Sequence, residues 1–265
     1  MSTAIVINQN EERKDVGSII VTTESETDVD QVHSEKDPFL EWSLTMDPEK
    51  ILNSNIIRTS SFDYKGLPRP ILIKEDTTGG CGGKTWEAAD VSCNYLIWKY
   101  ESSNGNAFKG KTILELGSGT GLVGLVLGAM CNPLDANEIV ITDQIPMLSL
   151  MEANININDL GRIVKANVLD WGVELPHWLT KTPDIIIASD CVYLEIAFQP
   201  LIDSLLLLSN EKTEIYLCYK RRRKADKRFF TLARKKFTIT EVTEDPHRPG
   251  YERKGLHLYL MKRKL

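Results

Sequence analysis

Long apolar runs are missing from this chain. No stretch approaches the roughly 18 to 20 consecutive apolar residues that a membrane helix needs. Met1 to Asn10 lacks the basic start and apolar core of a secretory signal. Cysteine is scarce and unpaired by pattern: Cys81, Cys93, Cys131, Cys191 and Cys218 are scattered, odd in number and form no C-x-x-C pair, which argues against a disulfide framework. The four histidines (His33, His177, His247 and His257) lie far apart without metal-ligand spacing, and no G-x-S-x-G elbow is present. Positive charge is not in excess either: 32 Lys and Arg against 37 Asp and Glu give a net charge of -5, so the molecule as a whole is no polycation. These absences predict a reduced, intracellular protein without a membrane or a metal and do not by themselves decide between cytoplasm and nucleus; a cytoplasmic monomer is the expectation.

What is present is ordinary globular composition, 42% hydrophobic and 26% charged over 265 residues, enough chain for one domain with extensions. Residues 1–37 hold nine acids against three bases and no aromatic residue, and read as a mostly disordered acidic tail. Within it only Ser18 to Thr23 has the composition of a strand. Phe39, Leu40 and Trp42 open the folded part, a single domain over 38–265 with an N-terminal extension (38–84) and a core (85–265). Ile56-Ile57-Arg58 and Ile71 to Lys74, joined by Gly66-Leu67-Pro68-Arg69-Pro70, predict a hairpin. Thr85 is placed to cap a helix from Trp86 to Glu101.

A βα rhythm follows. Strands are expected at Thr112–Leu116, Glu138–Asp143, Ile163–Asn167, Pro183–Asp190 and Glu214–Tyr219. Helices are expected at Leu122–Met130, Pro146–Asn156, Phe198–Leu208 and Ala225–Lys235. Phe237–Val242 and Leu256–Lys262 close the chain as two strands with no helix between them. The alternation implies a Rossmann-like, seven-stranded, mainly parallel sheet with helices on both faces, and the closing pair implies an antiparallel last strand.

The chemistry concentrates in Glu115-Leu116-Gly117-Ser118-Gly119-Thr120-Gly121, which a strand enters and a helix leaves. Glycines let the backbone turn tightly and a ligand approach it. The helix start offers free N–H groups and a positive dipole end. Asp143 ends the next strand, where a carboxylate can accept from ribose hydroxyls. A dinucleotide site competes, since Gly119-x-Gly121-x-x-Gly124 matches its pattern literally. A P-loop at Gly79 to Thr85 fails on spacing because residue 78 is Thr. A turn serving only packing is the plain alternative. The acid ahead of the first glycine, an E-x-G-x-G-x-G form, resembles motif I of methyltransferases.

Several separated segments then match one family. Gly83-Lys84-Thr85-Trp86-Glu87-Ala88-Ala89, Asn167-Val168-Leu169-Asp170-Trp171-Gly172 and Ser189-Asp190-Cys191-Val192-Tyr193 resemble, with motif I and Asp143, the family 16 seven-strand protein-lysine methyltransferases, over roughly residues 55 to 262. Tyr219 to Asp226 resembles the fungal elongation-factor enzymes of that family. The resemblance implies S-adenosyl-L-methionine as cofactor, held by Glu115, Gly117, Ser118 and Gly119 of the loop, by Asp143, by Asp170 and Trp171 near the adenine, by Trp86 and by Ser189. It implies Asp190 and Tyr193 as catalytic residues, Asp190 orienting a lysine ammonium and Tyr193 supplying a hydrogen bond or an aromatic wall. A protein substrate, such as a translation elongation factor, would be the partner. Cys191, beside Asp190 with no histidine near, reads as pocket lining. Asn154 and Asn156 read as helix caps. Residues 219–236 hold ten Lys and Arg with one Asp. They are either a contact for acidic protein or RNA, with nucleic acid reached only indirectly, or a solvated helix face with Phe229, Phe230 and Leu232 turned inward. An RNA or small-molecule methyltransferase, a non-catalytic scaffold and a nicotinamide-dependent oxidoreductase remain the rivals.

Overall fold

A computed structural model describes residues 57–131 and 138–264. The acidic segment 1–37, the strand at Ser18 to Thr23, the folded start at Phe39 and Trp42, and Ile56 lie outside the described residues.

Seven strands form one sheet in the order β5-β4-β3-β6-β7-β9-β8. β3 (Thr112–Leu116), β4 (Glu138–Asp143), β5 (Val164–Val168), β6 (Ile185–Ser189) and β7 (Glu214–Lys220) run parallel, and the Ile, Val and Leu runs of all but the edge strand β5 are buried on both faces. β9 (Leu256–Arg263) inserts antiparallel between β7 and the edge strand β8 (Phe237–Glu241). One apolar cluster lies between the sheet and α1 (Glu87–Ser102), α2 (Leu122–Met130) and α3 (Ile145–Ile157); a second packs α4 (Phe198–Leu208) and α5 (Asp226–Ala233) on the other face. The expected sheet, its helices on both faces and its antiparallel last strand are all present.

Three local expectations are corrected, the third at Asn154 below. A one-turn helix, α6 (Arg248–Glu252), stands between the closing strands where none was expected. Pro249 and Gly250 there read as loop composition, yet Pro suits a first helical turn. Thr85 does not cap α1: the cap position is Trp86, without a side-chain bond, and the Thr85 hydroxyl instead lies 3.1 Å from the Thr120 hydroxyl.

The N-terminal hairpin pairs β1 (Ile57–Phe62) with β2 (Ile71–Asp76), antiparallel, as a separate two-stranded sheet. The other edge of β2 is satisfied by side chains. Asn158 accepts from Leu72 N (2.9 Å) and donates to Leu72 O (2.7 Å). Asn154, one turn earlier in α3, accepts from Lys74 N (2.7 Å) and donates to Lys74 O (3.0 Å). Each amide takes the part of a peptide group on a missing neighbour strand. The spacing allows it, because four helical residues rise about 6 Å and two strand residues about 6.6 Å. Asn154 also donates to Thr120 O at 2.9 Å, so one fully buried amide ties hairpin, α3 and glycine loop together. The expectation of a helix cap at Asn154 gives way to this clamp.

Replacing Asn154 by Ala strands both backbone groups of Lys74 and the carbonyl of Thr120. At about 1 kcal/mol or more for each buried polar group left unpaired, the variant is expected to lose about 3 kcal/mol in urea unfolding. Asn156→Ala, at an exposed position of the same helix, is expected to stay within about 0.5 kcal/mol of the parent. Equal losses for the two variants would remove the clamp.

Candidate active site

Parallel α/β sheets bind ligands outside the carboxyl ends of their strands, where the strand order reverses. Here that point lies between β3 and β6, which neighbour each other although β4 and β5 intervene in sequence. Glu115, the glycine loop, Asp143, Ser189 and Asp190 all gather at that edge.

The loop backbone is left-handed at Gly117, Gly119 and Gly121 (φ 60°, 54° and 80°), conformations that side chains oppose. At Gly119 space forbids a side chain as well: a Cβ would stand 2.5 Å from the carbonyl oxygen of Gly82. The Gly79 to Gly83 run, folded into short 3-10 turns, is therefore the wall against which the loop packs. Gly124 serves helix packing, since a Cβ there would meet the Ile141 side chain at 2.1 Å. That contact accounts for the third glycine of the literal dinucleotide match. Ser118 N donates to Thr142 O (2.9 Å) and Thr142 N donates back to Ser118 Oγ (3.0 Å).

Both oxygens of Asp143 accept backbone N–H groups: Oδ2 from Gly119 (2.8 Å) and Oδ1 from Gln144 (2.7 Å). The side chain is half-buried, and burial raises its pKa against these two bonds. Each oxygen keeps a lone pair for a ligand hydroxyl. Glu115 lies deeper, 2% exposed behind the loop, and its Oε2 accepts from Gly124 N at 2.9 Å. The structure thus places Glu115 as a brace for loop and helix. Trp171 is half-buried with its ring edge 3.0 Å from the point where a Gly117 Cβ would stand, and Asp170 is exposed beside it. Ser189 Oγ lies 2.7 Å from Ser92 Oγ of α1. Ser92, 2% exposed, is a contact that sequence reasoning passed over; a small polar residue on the apolar side of α1 was the available signal.

The side formed by Asp190 and Tyr193 carries more charge. Asp190 follows β6 with φ 61°, left-handed for a non-glycine residue, while its N–H extends the ladder to Cys218 O at 2.7 Å. Its side chain is 7% exposed and accepts two bonds from the Arg222 guanidinium, Nη1 to Oδ1 at 2.7 Å and Nη2 to Oδ2 at 2.6 Å. The Arg222 guanidinium also lies 5.5 Å from the ring centre of Trp86, which is 38% exposed and donates its Nε1 to Cys81 O at 3.0 Å. Tyr193 is half-buried with its hydroxyl on the Cys81 thiol, and burial holds its pKa well above the usual phenol value. Arg223 donates to the Tyr193 carbonyl. Cys191 is buried with its thiol on Leu116 O (3.2 Å), and burial raises its pKa, in keeping with a lining residue. The charges of Asp143 and Asp190 both bear on the Cys81 and Cys191 thiols, so the two acids lie on either side of the same pair of cysteines at the carboxyl edge of the sheet. Arg222 was hidden in the sequence as one cation of a basic run.

Burial pushes the Glu115 carboxyl up from 4.5 to about 8. A folded pKa above the unfolded one means that the native state holds the proton longer. Its contribution to stability is therefore complete below about 4.5 and fades as pH rises through about 8. Glu115→Gln keeps an oxygen acceptor for Gly124 but removes the titration. The wild-type melting temperature is expected to fall relative to this variant between pH 5 and 9. Parallel melting profiles would show that Glu115 is not buried as described.

Comparison with known proteins agrees with this geometry. A family model described as lysine methyltransferase matches residues 67–236. Protein-lysine N-methyltransferase EFM6 of Saccharomyces cerevisiae is 34% identical over 222 residues, covering 77% of this chain and 90% of that one. Protein N-lysine methyltransferase METTL21A of Danio rerio is 37% identical over 208 residues, covering 77% and 88%. EEF1A lysine methyltransferase 3 of Mus musculus is 29% identical over 174 residues, covering 65% and 70%. With a cleft of this construction and a match over most of its length, the chain belongs to the lysine methyltransferase family and is a protein-lysine N-methyltransferase.

Proposed function

We propose that the chain moves a methyl group from S-adenosyl-L-methionine to the ε-amine of a lysine in a translation elongation factor, acting as a single domain over 38–265 in the cytoplasm. The observation that carries the reading is the pairing, in one cleft, of an acceptor set suited to a nucleoside with a buried carboxylate already occupied by a side-chain cation.

The residues present fit the cofactor. Asp143 retains lone pairs for two ribose hydroxyls, Trp171 offers a flat ring with exposed Asp170 at its rim, and Ser189 offers a hydroxyl at the end of β6. Gly117, Ser118 and Gly119 are suited to offer the cofactor backbone, with the Trp171 ring and Cys191 thiol beside Gly117. Glu115 supports them from below through Gly124. The bound sulfonium supplies an electrophilic methyl group. The protein must then present a neutral amine in line with the departing sulfur, although free lysine is protonated, with a reference pKa of about 10.4. Asp190 is suited to receive the ammonium and align it, and Tyr193 and Trp86 to wall the entry with aromatic faces that attract cations. EFM6, a protein-lysine N-methyltransferase, supports a protein substrate, and EEF1A lysine methyltransferase 3 supports one of the elongation-factor kind.

Transfer of labelled methyl from S-adenosyl-L-methionine into an extract of cells lacking the protein, resolved on a gel, tests this. One labelled band of elongation-factor mass is expected. Asp143→Ala, checked for folding by its melting profile, is expected to cut the label at least about 100-fold, the scale of losing cofactor hydroxyl contacts worth about 3 kcal/mol. Label confined to RNase-sensitive material would replace the protein substrate by RNA, and absence of cofactor binding would leave a scaffold.

A further inference from the structure

Arg222 stands where the incoming lysine must place its charge. Its guanidinium makes two short bonds to the Asp190 carboxylate and lies over Trp86. A carboxylate and an aromatic face are also the two surfaces that a lysine ammonium seeks. The Asp190 side chain is 7% exposed, and a carboxylate so buried is costly without a counter-cation. A cleft waiting for an ammonium needs some other cation in the meantime.

The segment that carries Arg222 is built to hold its backbone and release its side chain. Asp226 Oδ2 accepts from Arg222 N (3.2 Å) and Arg223 N (3.1 Å), fixing the turn before α5. Lys220 pairs with Glu87 of α1, and Arg223 pairs with Asp226 at 3.3 Å. The Arg222 side chain is 32% exposed, so its guanidinium has a path to water that moves no backbone. Rotation about its side-chain bonds is sufficient.

We propose that Arg222 is the resident counter-cation of the amine subsite: its guanidinium occupies the position between Asp190 and Trp86 that the substrate ammonium takes, and swings out to solvent as the lysine enters. The proposal rests on the reading of Asp190 as the lysine-binding acid. One cation replaces another, so the buried carboxylate is never bare and never carries two cations. Arg222 is a positioning residue in this scheme. It selects for ligands cationic enough to displace it, which a neutral amide or hydroxyl is not.

Competition and support predict opposite signs. If Arg222 only propped Asp190 in place, its loss would weaken binding of an ammonium ligand. If it competes, its loss strengthens binding in proportion to the fraction of time it held the subsite. The probe is n-butylammonium, the end of a lysine side chain, titrated by ligand-observed NMR into the full chain saturated with S-adenosylhomocysteine at constant ionic strength. Arg222→Gln keeps hydrogen-bond donors for Asp190 without the charge, and Arg222→Ala removes the head group. Melting profiles establish that each variant is folded. Both are expected to lower the dissociation constant about tenfold, as for a subsite that Arg222 fills nine-tenths of the time. Asp190→Asn is expected to abolish that gain in the Arg222→Gln background. Unchanged or weaker binding in both Arg222 variants, with Asp190→Asn still weakening the wild type, would overturn the competition and leave Asp190 as the lysine-binding acid. If Asp190→Asn changed nothing in either background, the amine subsite would lie elsewhere and both readings would fall.

Discussion

Everything at the catalytic edge depends on keeping one loop in a shape that its own residues enforce only in part, through Gly121 N to Ser118 O at 2.8 Å. Gly117, Gly119 and Gly121 give the chain its left-handed path, and glycine, free to adopt that path, is equally free to leave it. The path is therefore held from outside, by a different element at almost every residue. β4 exchanges bonds with Ser118 through Thr142 and takes Gly119 through Asp143. β3 braces Gly124 through Glu115, α3 holds Thr120 O through Asn154, and the segment before α1 meets the Thr120 hydroxyl through Thr85. The hairpin enters the same system, because Asn154 clamps β2 with the amide that also holds the loop. The hairpin is thus mechanically part of the glycine-loop side of the cleft.

The acids of the cleft are stabilised in two distinct ways. Glu115 and Asp143 are met by backbone N–H groups, which are neutral dipoles and leave burial free to raise both pKa values. Asp190 takes a long backbone bond from Lys220 N (3.4 Å) but is met chiefly by a full positive charge in bidentate contact. Backbone donors are fixed by the sheet and the helix starts, so the loop side of the cleft is rigid. Arg222 is a long, partly exposed side chain whose head group, beyond Asp190, meets the Lys220 carbonyl at a long 3.5 Å, so the opposite side can be rearranged. That division suits an enzyme that must hold one ligand in a constant pose and admit another carried on a large protein.

What was readable in the sequence follows from the range of the interactions. The parallel strands announced themselves as Ile and Val runs, and motif I as glycines between a strand and a helix, because those signals lie within about ten residues of one another. Asp143 was readable because the end of the next strand lies at a set distance in a βαβ unit. The Asn154 clamp was not, since its partners are 80 and 34 residues away and an asparagine late in a helix reads as a cap. Thr85 misled for the related reason that a cap signal is local, whereas its hydroxyl answers to Thr120, 35 residues on. α6 was missed because Pro and Gly dominate its five residues.

Arg222 shows where composition misleads most. Counted with its neighbours it is one of ten cations in an 18-residue stretch, and a charge run read that way is a solvated face. Folded, the run divides by function. Lys220 reaches back to α1, Arg223 braces the turn at Asp226, and among their side chains it is Arg222 that brings its charge to the buried Asp190. Net charge cannot express that division, because what matters at Asp190 is one counter-charge within 3 Å in a place that water barely reaches. A chain with an overall charge of -5 thus carries a cleft in which the decisive local charge is positive, set by a single side chain whose partner lies 32 residues earlier.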